Sequence, residues 1–204
     1  LRDFAAGYTA AVVARTGASF YDPQPGKPWF DENVNADLAA AARQAGTLHQ
    51  HPGFEHVHIF SYPPAMMFVF LPFSAVPFPA AKLIWLVLSL LMIGWALWLL
   101  VRWFAFERLT VFGLLFLAAI FHPLINTVDI GQVNALIFLG MTGFWVLYRQ
   151  GRDVAAGVVL GITMAIRLHP GLLVLYLIWK RQFRVGGVAL AVACAMSAGA
   201  AGVF

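Results

Sequence analysis

The sequence predicts an all-α, polytopic membrane protein: a bundle of transmembrane helices with short helices and loops gathered on one face. Three observations predict it. Of the 204 residues, 61% are hydrophobic and only 11% are charged, against about 25% charged in soluble domains. The apolar residues fall into runs approaching the roughly 20 that span a bilayer. The basic residues Arg102, Arg108, Arg149, Arg152, Lys180, Arg181 and Arg184 cluster at the ends of those runs. A net charge of +4 placed this way is a topology signal, and no nucleic-acid partner is implied. The single Cys194 excludes an intrachain disulfide.

Residues 1–80 read as an outer-face region of loops with short and re-entrant helices, mostly water-facing up to about residue 62. Residues 2–16 have helical periodicity, with Phe4, Tyr8, Ala11 and Val12 on one face and Gly17 as the breaker. Residues 21–28 form a Pro/Gly-rich loop, and 35–45 an alanine-rich helix stopped by Gly46. A loop with His49, His51, His56 and His58 follows. Two His-x-His pairs with Glu55 as the nearby carboxylate make a poor ligand set, so a solvated loop is expected and no metal site. After Tyr62-Pro63-Pro64, residues 65–76 are apolar but too short to span. They suit an interfacial or re-entrant segment closed by Pro77 and Pro79.

Residues 81–204 read as the helical bundle. Spanning helices are predicted over 83–101, 109–125 and 133–148, and another begins at 185. The passage 154–179 admits one long helix, or two half-helices turning near Arg167-Leu168-His169-Pro170. Pro170 removes a helical hydrogen bond and biases His169 away from helix. The hairpin also brings all seven basic residues to one side, cytoplasmic by the positive-inside rule, and it is preferred. Residues 1–80, the loop 122–132 and the Arg167–Pro170 turn then share the outer side. The chain opens at Leu1 and ends in an apolar run, which reads as a piece of a longer protein lacking its first and C-terminal helices. Trp85, Trp95, Trp98, Trp103 and Trp145 are expected at lipid-facing or interfacial positions.

Three polar clusters are candidate sites. Asp3, near a membrane–water boundary, is suited to accept a proton from an alcohol, or else simply starts a helix. His122-Pro123 is followed by Asp129-Ile130-Gly131-Gln132-Val133-Asn134. There Gly131 permits close backbone approach, and Gln132 and Asn134 offer amides at a helix start that favours anions. Capping by Asp129 or Asn134 is the alternative. Arg167, with His169, sits in an apolar passage where a charge costs about 2.5–3.5 kcal/mol on insertion scales. Its fork of donors suits phosphate, or an ion pair with Asp129 or Asp3.

Taken in order, four features resemble the family 87 membrane glycosyltransferases, which have the GT-C architecture and use polyprenyl-phosphate sugars. They are Asp3 with Tyr8, Gly17 and Tyr21; Tyr62-Pro63-Pro64 with Leu71-Pro72; Gly131-Gln132-Val133-Asn134; and Gly157 with Gly161, Arg167 and Pro170. The family usually carries lysine where Arg167 stands, so the charge is kept and its geometry changes. The resemblance implies a GT-C-like bundle in a bacterial inner membrane, working at its periplasmic face. It implies that Asp3 is the general base for an inverting transfer, most often of mannose, to a lipid or glycan acceptor hydroxyl. Arg167 and His169 would hold the donor phosphate, with Gln132, Asn134, His122 and Tyr8 as further substrate contacts and no cofactor or metal. The rival is a transporter or lipid-handling protein that binds an anion at Arg167, and a structural assembly subunit is a third reading.

Overall fold

A computed structural model describes residues 2–17, 36–47, 49–51, 54–56 and 62–203. Helices α1 (Arg2–Ala14) and α2 (Ala36–Ala45) precede strands β1 (His49–His51) and β2 (Phe54–His56). A broken passage follows, in which α3 (Met67–Phe70) lies between 3-10 turns at Pro64–Met66 and Leu71–Ala75. The bundle then consists of α4 (Phe78–Phe104), α5 (Arg108–Ile120), α6 (His122–Ile130), α7 (Asn134–Arg149) and α8 (Asp153–Ile166). A 3-10 turn at His169–Gly171 leads to α9 (Leu172–Trp179) and α10 (Phe183–Val203).

The all-α class holds, with one small departure where a histidine loop was expected. There β1 and β2 pair antiparallel, His49 opposite His56 and His51 opposite Phe54. The expected loop at 21–28 and His58 lie outside the described residues.

Helix α1 departs from the water-facing expectation. Residues 4–11 and Val13 are buried, so nearly the whole circumference is covered rather than one face. Its small residues let several elements approach at once: α2, α3, α4 and the Leu71–Ala75 turn all pack on it. A β-carbon on Gly7 would run into the Phe70 ring. Helix α1 ends in a turn closed by Gly17 at φ +75°, a conformation glycine adopts without strain.

Helices α4 and α10 are long and apolar enough to cross a membrane, and α5 with α6 makes a third span if the pair counts as one. That pair differs from the predicted continuous helix 109–125 and loop 122–132. It is bent by 52° at Phe121, which takes an extended conformation. The cause is Pro123, which lacks the N–H that Ala119 would bond and clashes with the preceding turn. As the second residue of a new helix the same proline is well placed, so 122–130 is helical. A cavity of about 580 Å³ opens between α4 and this bend, lined by Lys82, Leu90, Ile93, Ala118, Ala119 and Asp129 among others.

Glycines set the order of the remaining helices. Gly140 meets Thr163 and Gly143 faces Val159, so α7 and α8 run antiparallel. Gly157 abuts Val185 and Val188, while Gly161 abuts Ala189 and Val192. Ala165 shares a buried cluster with Ala200. Helices α8 and α10 therefore run parallel, and residues 167–182 must return across the bundle between them. This is the hairpin reading, and it gathers Arg149, Arg152, Lys180, Arg181 and Arg184 at one end. The break falls at Arg167, extended at φ −147°, within the expected turn at Arg167–Pro170.

A β-carbon at Gly161 would lie 2.5 Å from the Ala189 carbonyl oxygen and 2.7 Å from Val192 Cβ. Gly161→Ala should therefore lower the melting temperature in detergent, an overpacking cost of about 1–3 kcal/mol. Gly187→Ala, with nothing within 4 Å, should not.

Candidate functional site

The site is assembled on a cluster of aromatic rings. Phe4 stacks on Trp85 at 5.4 Å between centroids and 21° between planes, and meets Phe73 edge-on at 5.5 Å. Phe70 and Phe78 close the cluster. Such pairs add about 0.5–1.5 kcal/mol each beyond their burial. Trp85 is 2% exposed, so it is a core residue rather than a lipid-facing one; Trp95 and Trp98, at 62% and 55%, are exposed as expected. The Trp85 indole Nε1 donates to the Gly131 carbonyl at 3.0 Å. Gly131, at φ +70°, terminates α6 and turns the chain into α7. One tryptophan therefore ties the first turn of α1 to the turn between α6 and α7.

Asp3 sits in that first turn, next to Phe4, and is half-buried. The Tyr62 hydroxyl donates to its Oδ2 at 3.0 Å. The Arg167 guanidinium lies over the same tyrosine ring, 5.7 Å from its centroid, within cation–π range. Arg167 Nη1 donates to Asn134 Oδ1. Asn134 Nδ2 donates in turn to Gln132 Oε1 and, at 3.4 Å, to Thr127 Oγ1. The Thr127 hydroxyl donates in turn to the Pro123 carbonyl at 2.8 Å. Each donor in this chain points away from the cation, which fixes the Asn134 amide orientation and aims the arginine.

Asp3, Arg167, Asn134 and Gln132 are thus brought into one network, with Tyr62 at its centre. Arg167 pairs with neither Asp3 nor Asp129, the ionic alternatives. Capping does not account for Asn134 either: α7 starts after Val133 with no side-chain cap, and Asp129 lies at the wrong end of α6 to cap it. Tyr8 is engaged elsewhere, its hydroxyl donating to the Val76 carbonyl at 2.8 Å. His169 is exposed at the start of its 3-10 turn. His122 stands at the far end of α6 from Gly131, about 13 Å along the axis, and is not brought to the network. Burial pushes the Tyr62 phenol up to about 12, with Asp3 adding to the rise and Arg167 opposing it. It is therefore a hydrogen-bond donor at every physiological pH.

The sequence profile of glycosyltransferase family 87 matches residues 60–204, well over half of the chain. The chain belongs to glycosyltransferase family 87. It is also 28% identical over 192 residues to the polyprenol-phosphate-mannose-dependent alpha-(1-2)-phosphatidylinositol pentamannoside mannosyltransferase of Mycobacterium tuberculosis (strain CDC 1551 / Oshkosh). That match covers 89% of this chain and 43% of the relative, so the chain spans under half of that protein's length. No solved structure matches. Within the family match lie Tyr62, Gln132, Asn134, Arg167 and His169; Asp3 and Tyr8 precede it.

Sequence reasoning gave no role to Trp85, Thr127 or the Tyr62 hydroxyl. Tyr62 carried a signal, standing before Pro63-Pro64, since the residue before proline is held extended. Trp85 carried none, because an apolar span hides which of its tryptophans faces inward. Trp85→Phe keeps the stack on Phe4 but leaves the buried Gly131 carbonyl without its donor. It should lower thermal stability in detergent by about 1–3 kcal/mol, whereas Trp95→Phe should have no measurable effect.

Proposed function

We propose that the protein is a membrane glycosyltransferase that moves a sugar, mannose, from a polyprenyl-phosphate donor to a hydroxyl of a lipid or glycan acceptor. The observation that carries the reading is the Tyr62-centred network, in which a carboxylate and a guanidinium from distant parts of the chain contact one side chain. Family membership supports the reaction class. The dependence on polyprenol-phosphate-mannose printed in the relative's name supports the donor.

In this reading Asp3 accepts the proton of the acceptor hydroxyl through Oδ1, the oxygen not engaged by Tyr62. The acceptor oxygen attacks the anomeric carbon opposite the phosphate, the bond from that carbon to the phosphate oxygen breaks, and configuration inverts. The departing polyprenyl phosphate gains a negative charge. Arg167 stabilises that charge in a half-buried setting, where such stabilisation is a large share of catalysis. Gln132 keeps its amide N–H groups for the donor, since its Oε1 is the atom that Asn134 bonds. His169, exposed two residues after Arg167, adds a second donor to the phosphate.

The network sits at the end of α7 and α8 opposite Arg149 and Arg152, about 20 Å away along the helix axes. By the positive-inside rule the basic end reads as cytoplasmic, which supports a reaction at the opposite face, the periplasmic one in a bacterial inner membrane. A polyprenyl chain lying in the outer leaflet then presents its phosphate at the depth of Arg167.

Asp3→Asn is expected to lower kcat by about a hundred- to ten-thousandfold, the range of general-base catalysis, with donor KM little changed. The test is mannosyl transfer by the full-length protein from a polyprenyl-phosphate mannose; undiminished kcat removes Asp3 from the chemistry. Arg167→Gln should lower kcat/KM by about ten- to a hundredfold, the worth of a charge-assisted hydrogen bond, because Arg167 holds the donor phosphate and the charge it gains. Arg167→Lys should restore most of that loss.

A further inference from the structure

We propose that Tyr62 is a positioning residue of a particular kind, a spacer that keeps the base and the phosphate-binding cation from neutralising each other. The inference rests on the reading of Asp3 and Arg167 given above.

A carboxylate and a guanidinium brought close in a half-buried site tend to form a bidentate ion pair. Such a pair would disable both groups: it makes the carboxylate a weaker base and occupies the N–H fork that phosphate needs. Tyr62 stands where the pair would form. Its hydroxyl contacts Asp3 and its ring face contacts Arg167. Both contacts leave function intact. The phenol takes one carboxylate oxygen and leaves the other open to an acceptor hydroxyl. The ring attracts the guanidinium through its π-face without neutralising the charge or consuming an N–H, so the fork stays available beyond the one bond to Asn134.

The backbone keeps the spacer in place. Proline at 63 restricts Tyr62 to extended conformations, and Pro63 itself is fixed at φ −56°, ψ 150°. Immediately after, the Pro64–Met66 turn packs on α8 and α10, with Ala65 and Met66 fully buried. Backbone movement that carries the ring away from Asp3 and Arg167 would require lifting that turn out of the bundle. Asn134 adds a second hold, since its bond to Arg167 ties the guanidinium to the start of α7.

The test is binding of farnesyl phosphate to the full-length protein in lipid nanodiscs, for Tyr62→Phe and Tyr62→Leu, each alone and combined with Asp3→Asn. Tyr62→Phe keeps the ring and should hold affinity within about twofold of wild type. Tyr62→Leu removes the spacer, lets Asp3 capture Arg167, and should weaken binding by about five- to tenfold, the size of a direct coupling between neighbours. Adding Asp3→Asn should recover that loss in the Tyr62→Leu protein and give a clearly smaller gain in the Tyr62→Phe protein. A Tyr62→Leu protein that binds like wild type overturns the spacer, and so does a loss that Asp3→Asn fails to recover. If Tyr62→Leu has no melting transition, Tyr62→Met replaces it with the same expectation. Farnesyl phosphate binding unchanged by Arg167→Gln would overturn the phosphate reading itself. An Asp3→Asn protein that still transfers sugar overturns the base assignment alone, because the binding cycle reads only charge capture.

Discussion

The indole of Trp85 is the constraint on which the rest of the site depends. One face is stacked on Phe4 and its N–H is bonded to the carbonyl of Gly131. Asp3 is the residue before Phe4, and Gln132 is the residue after Gly131. The two halves of the polar network are therefore held by a single buried ring, each one peptide unit from its anchor. Separation of α1 from α4 would unstack Phe4 and shift Asp3; unwinding of the α6–α7 turn would shift the amides that aim Arg167. Tertiary packing sets the geometry here, since isolated helices of 13 and 9 residues are too short to be stable in water.

Charge is divided between the two ends of the bundle by helix order. Because α8 and α10 run parallel, the intervening α9 must run back, and the basic residues before α8 and after α9 end on the same side. Among the basic residues of 149–184, Arg167, at the opposite end of α8, departs from that segregation. It is half-buried and held by Tyr62 and Asn134. The glycines that permit the α8–α10 contact therefore also fix the direction of α8 against α10, with Arg167 at the far end of α8 from Arg152.

Much of this was legible in the sequence because membrane constraints are coarse and strict. Apolar runs bounded by arginines gave the helices from residue 78 onward, and the turn at Arg167–Pro170 followed from proline chemistry together with charge placement. The burial of α1 was not legible. Alanines and glycine are compatible with a solvated helix and with one enclosed on all sides, and its partners lie some 60 residues away. The bend at Phe121 was missed although Pro123 announced it, because apolar residues continue unbroken through the break. Of the network, Arg167 is conspicuous in the sequence as a charge in an apolar passage, whereas Asp3 draws attention mainly through the family resemblance. Their connection was not found, because it passes through a tyrosine whose phenol and ring act on different partners.

The 52° bend between α5 and α6 has a further meaning for the surrounding lipid. A regular helix hides its carbonyls from hydrocarbon by bonding each to an N–H four residues on. At the bend the partner of the Ala119 carbonyl is proline, and the Leu124 N–H that would serve Ile120 is donated to Phe121 instead. Unbonded carbonyls facing acyl chains cost several kcal/mol each, so such backbone is tolerated where it borders protein or a hydrated space. Ala118 and Ala119 line the 580 Å³ cavity that also contains Lys82 and Asp129. This flank of the protein is thus a groove with an apolar lining and two charged members, Lys82 and Asp129, beside a break in the helical hydrogen-bond ladder.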